Sequence, residues 1–186
     1  MKTNPLILPA ILLTASISSC TVFSVHPLYT ENNLAQDNHL IGLWKEAAEG
    51  DAFVSITQEG RSYSVTYMED EDTLVYEGNY LKLGDDYFMD LFPDKDEFPE
   101  LMMNNYFPVH SFQKIILDGT KMTVLMFDGE KMIKLFEQNR IRLKHELFED
   151  YVLITAGTED LQKFIQKYSS NSESFTDPMI FEKVDK

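Results

Sequence analysis

Residues 62–68 alternate strictly, with Tyr63, Val65 and Tyr67 on one side and Ser62, Ser64 and Thr66 on the other. A two-residue period sends successive side chains to opposite faces of a β-strand, so this segment buries one face and leaves the other to solvent. Related patterns recur on both sides of it. Residues 52–58, carrying Phe53, Val54 and Ile56, precede it across Glu59-Gly60, which reads as a hairpin turn. Residues 73–83 and 87–92 follow, linked around Gly84-Asp85, and residues 109–117 and 121–127 flank Asp118-Gly119. Asp-Gly between two apolar strands is the strongest local hairpin signal in the chain, because a type I′ turn needs positive φ and glycine supplies it. Residues 140–148 alternate again, with Ile141, Leu143, His145 and Leu147 against Arg140, Arg142, Lys144 and Glu146. Residues 151–156 end the series. With a strand beginning near Leu40, this makes about nine strands joined mostly by short loops, the pattern of an antiparallel barrel or sandwich.

Two helices break this meander. Apolar residues at 132, 133, 135 and 136 predict a helix over 129–138, capped by Asp128 and ended by Asn139. A second helix is predicted over 158–168, with Thr158 as its cap and a stripe of Leu161, Phe164, Ile165 and Tyr168. Glu159 and Asp160 suit the positive end of its dipole. Residues 169–173 read as a polar break and 178–184 as a short tail. The one long loop, 93–108, holds Tyr106 and Phe107; such loops bind ligands or merely cover a barrel end.

The first residues have the layout of a secretory signal: Lys2, a mostly apolar run over 5–17, then Ser18 and Ser19. The run is shorter than the roughly 20 apolar residues that span a bilayer. Ile17-Ser18-Ser19-Cys20 resembles the lipobox of bacterial lipoproteins. That resemblance implies that the Cys20 thiol is lipidated, that residues 1–19 are removed, and that the mature chain carries three acyl chains. Two or more chains anchor a protein stably where one does not. Cys20 is the only cysteine, so no disulfide competes for it. Thr21, not Asp, follows it; by resemblance to lipoprotein sorting in bacteria with two membranes, this implies the outer membrane. No acidic run directly follows Cys20, which favours the periplasmic face. Residues 21–39 lack periodicity and read as a tether, giving a signal peptide over 1–19, a lipidated Cys and tether over 20–39, and a barrel domain over 40–186.

Gly42-Leu43-Trp44 resembles the Gly-x-Trp of the first strand of lipocalins and lipocalin-like barrels. The resemblance implies that Trp44 plugs one barrel end and that a late basic residue, Arg140 or Arg142, packs across it. The expected fold is therefore mainly β, an antiparallel lipocalin-like barrel of about eight or nine strands with a helix between late strands and a C-terminal helix. Nearly everything after Cys20 also resembles a family of bacterial lipoproteins with no known activity. The stretches that carry this are His26-Pro27-Leu28-Tyr29, Gly42-Leu43-Trp44, Pro108-Val109-His110 and Thr158-Glu159-Asp160-Leu161-Gln162.

A formal net charge of −15 argues against nucleic acid as a partner and against attraction to anionic lipid. His26, His39, His110 and His145 lack the short spacing of a zinc site. The acidic runs at 69–72 and 85–100 lack the pattern of a calcium loop. No nucleophile, phosphate-loop or dinucleotide motif is present, so neither catalytic residues nor a metal or cofactor is expected. An enzyme would instead require His110 or His145 in a pocket beside a carboxylate. Tyr63, Tyr67, Tyr76, Tyr80, Phe112 and Tyr151 fall on predicted strands. Of the chain's polar-tipped side chains, Tyr63, Tyr67, Tyr76, Tyr80 and His145 are the candidates for contacting a ligand. Inside a small barrel such side chains either fill the lumen or line one cavity, and both readings are open. The expectation is a non-catalytic envelope lipoprotein, anchored to the membrane through Cys20, that binds a hydrophobic or amphipathic small molecule or an envelope partner. The alternatives are a structural or assembly lipoprotein with a filled barrel, and a hydrolytic enzyme with an unrecognised site. Replacing Cys20 with serine is expected to move the protein from the membrane pellet to the aqueous fraction; equal partitioning of the variant and the native chain would contradict lipidation.

Overall fold

The computed structural model of the chain describes residues 21–47, 50–94 and 107–184. The signal segment, Cys20 and Tyr106 lie outside the described residues. Among the described residues, eleven strands form one continuous hydrogen-bonded system. Strand β1 (Thr21–Ser24) stands outside the barrel. The barrel then runs β2 (Gly42–Glu46), β3 (Phe53–Glu59), β4 (Ser62–Glu69), β5 (Asp72–Leu83), β6 (Asp86–Pro93), β7 (His110–Asp118) and β8 (Lys121–Leu125). Each of these pairs antiparallel with the next. Two more strands, β9 (His145–Leu147) and β10 (Tyr151–Ile154), lie outside. The last, β11 (Met179–Lys183), pairs with both β8 and β2 and closes an eight-stranded antiparallel barrel. The barrel is thus a meander in chain order, consistent with a lipocalin-like barrel, and its last strand is reached only after a detour through the helices.

Local sequence explains much of this. The hairpin expected at Asp118-Gly119 joins β7 to β8, but Asp118 pairs with Lys121, so the two loop residues are Gly119 and Thr120; only Gly119 has positive φ, at +59, which makes a type II′ turn in place of the expected type I′. Residues 62–68 alternate as read, with Tyr63 and Val65 facing the lumen. Helix α1 (Gly129–Glu137) begins at Asp128, whose side chain accepts from Lys131 N at 3.0 Å. Asn139 follows it at φ +55, a left-handed backbone that Asn tolerates. Helix α2 (Thr158–Ser169) is preceded by Gly157, not capped by the Thr158 side chain. Among the described residues no helix is long and apolar enough to cross a membrane.

Two apolar cores share the wall formed by β5, β6 and β7. Tyr80, Met89 and Ile115 point into the lumen, where they join Trp44, Ile56, Val65, Met122 and Phe181. Their neighbours Leu81, Phe88 and Phe112 point outward and join Met132 and Phe136 of α1 and Leu161, Phe164 and Ile165 of α2. The helices therefore cover the outside of the barrel and leave the lumen to be closed at its ends.

Three expected features change. Residues 21–39 are not a tether. Strand β1 pairs parallel with β10 and antiparallel with the start of β7, and Val22, Ser24 and Leu28 are buried. Its pairing partners are distant in sequence, so no local period betrays it. The predicted strand over 140–148 is a paired strand only at His145–Leu147. The burial of Ile141 and part-burial of Leu143 produce the alternation without a full ladder. The expected tail over 178–184 is largely the closing strand β11.

Three of the four stretches that carry the lipoprotein resemblance meet at one place. Leu28 N donates to Asp90 Oδ2 at 2.6 Å, and His110 Nδ1 lies 2.7 Å from Asp90 Oδ1. Thr158 Oγ1 donates to Pro27 O and Gln162 Nε2 donates to Leu28 O, each at 2.8 Å. One wall residue, Asp90, thus pins the chain that leads from the N-terminus, and α2 holds it from the other side. Asp90→Ala leaves the Leu28 N–H and the His110 Nδ1 without their hydrogen-bond partner in a buried site. The expected cost is about 3 kcal/mol in urea unfolding, from roughly 1–3 kcal/mol per unsatisfied group; a loss below about 1 kcal/mol would mean that the clamp is slack.

Candidate functional site: the open end of the barrel

One barrel end is sealed. Trp44 is fully buried, and its Nε1 donates to Leu40 O at 2.8 Å, from a single 3-10 turn over Asn38–Leu40. Lys183 Nζ sits 4.9 Å from the Trp44 ring centroid and donates to His39 O at 2.7 Å. The late basic residue across the tryptophan is therefore Lys183, and not Arg140 or Arg142, which line a cleft outside the barrel. The reason is register: β11 pairs with β2, placing Lys183 directly opposite Trp44. Gly42 serves the same corner. Its φ is +142, a backbone conformation that side chains rarely adopt, so the backbone demands glycine here.

The other end of the lumen is hollow. A cavity of about 310 Å³ lies between the two walls of the barrel, at the lower end of the range for small-molecule sites, which runs from about 300 to 1,000 Å³. Leu40 and Val54, which adjoin Trp44, form its floor. Val65, Leu91 and Ile115 form its sides. Met89, Met122, Met126 and Met179 supply unbranched, adaptable surface. Its polar groups are few: the Tyr67 and Tyr76 phenols, the Ser111 hydroxyl and the Gln113 amide. Such a lining accepts an apolar body and offers a few hydrogen bonds to orient it.

The structure divides the predicted contact residues. Tyr67 and Tyr76 line the cavity. Tyr63 and Tyr80 face the same lumen but belong to its closed half. Tyr63 OH accepts from Asp37 N at 2.8 Å, and Tyr80 stacks on Tyr87 with centroids 5.3 Å apart. His145 lies on the far side of the wall: its Nδ1 donates to Leu143 O at 2.7 Å and its ring packs on Phe136 at 4.1 Å. Sequence reasoning missed Ser111, Gln113 and the four methionines. Along β7, Ser111, Gln113 and Ile115 alternate with His110 and Phe112, so the inward polar pair was readable once that face was known to be the lumen.

His110 has the carboxylate neighbour that an acid–base site needs, yet the pair is buried in the outer wall and lines none of the three clefts described. The described residues contain no cluster of His, Cys, Asp or Glu able to hold a metal. No known family's sequence profile matches the chain, and no curated protein or solved structure matches it.

Burial at the cavity rim, then the hydrogen bond from Tyr67 OH to Glu69 Oε2 at 2.9 Å, pushes the Tyr67 phenol from its usual 10.0 up to about 12. Burial first, then Asp37 and Tyr87, pushes Tyr80 up further. A phenol whose pKa is raised on folding binds its proton more tightly in the folded state. Its stabilisation is therefore complete below pH 10 and lost as the pH climbs to about 12. Spectrophotometric titration should show Tyr67 and Tyr80 still protonated at pH 11 while exposed tyrosines ionise; a single transition near pH 10 for all nine tyrosines would contradict this placement.

Proposed function

We propose that the protein is a non-catalytic lipoprotein of the cell envelope that holds one hydrophobic or amphipathic small molecule in the open half of its barrel. The observation that carries this reading is the cavity itself. A barrel serving only as a structural part has its lumen filled by side chains, whereas here an apolar, methionine-lined space persists above a sealed floor.

Cys20 supplies the anchor in this reading, at the outer membrane and on its periplasmic side. The position of β1 supports a close attachment. Thr21, its first residue, donates through its N–H to Asp150 O at 3.2 Å, so acyl chains on Cys20 would emerge beside the β9–β10 turn with no slack. That turn displays exposed Leu147 and Phe148, with Phe148 stacked on Tyr151 at 4.3 Å. Aromatic rings suit the headgroup level of a bilayer, and the barrel would then sit against the leaflet that holds it.

Trp44, the chain's single tryptophan, reports on the cavity from beneath its floor. A brominated alkyl carboxylate should quench its emission saturably, and the filling substitutions Val65→Phe and Ile115→Phe should abolish that quenching with the fold intact by circular dichroism. Quenching that rises linearly and equally in the filled variant would overturn the reading.

A further inference from the structure

Outside the barrel, the segment over residues 140–144 faces α2 across a second cleft of about 490 Å³. Arg140, Arg142, Lys144, Lys163 and Lys167 line it, with Asp160 as the only acid. The composition runs the other way: the chain has 16 Lys and Arg against 31 Asp and Glu. Five cations converging on one place in so acidic a chain call for a physical reason, because like charges held together repel.

Internal pairing does not supply one. Lys163 is neutralised by Glu159 and Asp160, each at 3.4 Å, and Lys167 lies 5.3 Å from the centroid of the Tyr168 ring. The side chains of Arg140, Arg142 and Lys144 have no hydrogen bond or ion pair among the described residues, and all three are exposed. With about two acids for every cation in the chain, this trio has no acid of its own and is left open to an outside anion. The backbone holds the trio in place. The inward turns of Ile141 and Leu143 send the three cations outward, Arg140 N donates to Leu135 O at the end of α1, and Lys144 O accepts from Thr155 N and Ala156 N.

The walls beneath are apolar: Ile141, Ala156 and Phe164 are buried there, with Tyr168 at the side. Guanidinium groups present a planar fork that matches phosphate oxygens two at a time, which an ammonium cannot do. We propose that this cleft binds a phosphate group carried on an apolar or aromatic body, the phosphate between Arg140, Arg142 and Lys144 and the body against Phe164 and Tyr168. The same chemistry is offered by a soluble phosphate ester and by an anionic phospholipid headgroup. The site is separate from the barrel cavity and does not depend on it.

The test is calorimetry on the full-length protein in dodecyl maltoside, with phenyl phosphate and inorganic phosphate as soluble probes and with micelles doped with phosphatidylglycerol or with phosphatidylcholine. Phenyl phosphate should bind more tightly than inorganic phosphate. Arg140→Gln with Arg142→Gln should weaken the bound probe by about tenfold or more, as expected for lost charge-assisted bonds. The paired Lys substitutions should recover part of that loss. The barrel-filling Ile115→Phe variant should bind as the native protein does, which separates this site from the lumen. Selective binding to phosphatidylglycerol micelles assigns the phosphate to a lipid headgroup, and binding to phenyl phosphate alone assigns it to a soluble ester. Absence of binding to every probe, or binding that the double Gln variant retains, overturns the proposal.

Discussion

Where β5, β6 and β7 run beneath the helices they bury apolar side chains on both faces, and the rest of the molecule is arranged around that constraint. A strand wet on one side alternates apolar with polar; these strands instead place Tyr80 beside Leu81, and Phe88 beside Met89. Each face needs a cover. The inner face is covered by closing the sheet on itself, which is why β11 must return between β8 and β2. The outer face is covered by α1, α2 and the β1–β10–β9 extension. With both helices spent on the outside, neither is available to fill the lumen, and a hollow can survive there.

The two ends of the lumen then differ for chemical reasons. At one end Trp44, the Leu40 carbonyl and Lys183 satisfy one another: the indole N–H has its acceptor, and the ammonium has an aromatic face and the His39 carbonyl. At the other end the lining is methionine, leucine and valine with a few hydroxyl and amide groups, and nothing among the described residues plugs it. The clamp at Asp90 links this barrel to the N-terminal segment. Because Leu28 is pinned from both the wall and α2, the path from Cys20 to the barrel is ordered from Thr21 onward. The placement of the N-terminal segment and the integrity of the wall thus share one buried carboxylate.

What could be read from the sequence was local. The 62–68 alternation, the hairpin at Asp118-Gly119 and the Asp128 cap each rest on neighbours within a few residues, and each is present, the hairpin with its loop one residue further on, at Gly119 and Thr120. What depended on distant partners was not legible. Thr21–Ser24 becomes a strand through Tyr151–Ile154, far along the chain, and Met179–Lys183 through strands at both ends of the barrel. Arg140 and Arg142 were assigned to the tryptophan because they are late and basic, but register gives that position to Lys183. The candidate site was half legible. Tyr67 and Tyr76 follow from strand parity, whereas the boundary between the sealed and hollow halves depends on how side chains from eight strands sum in space. Gly78 shows the scale of it: a single added Cβ there would sit 2.8 Å from Val65 Cγ2 and 3.0 Å from Met89 Sδ.

The central claim is that this barrel is a container. Native mass spectrometry of the protein purified from its own membrane tests it most directly. The account predicts an acylated chain beginning at Cys20, accompanied by a further bound small molecule that activation releases and that barrel-filling substitutions at Val65 and Ile115 eliminate. A chain that carries nothing but its covalent lipid, and that takes up no apolar ligand when challenged, would contradict it.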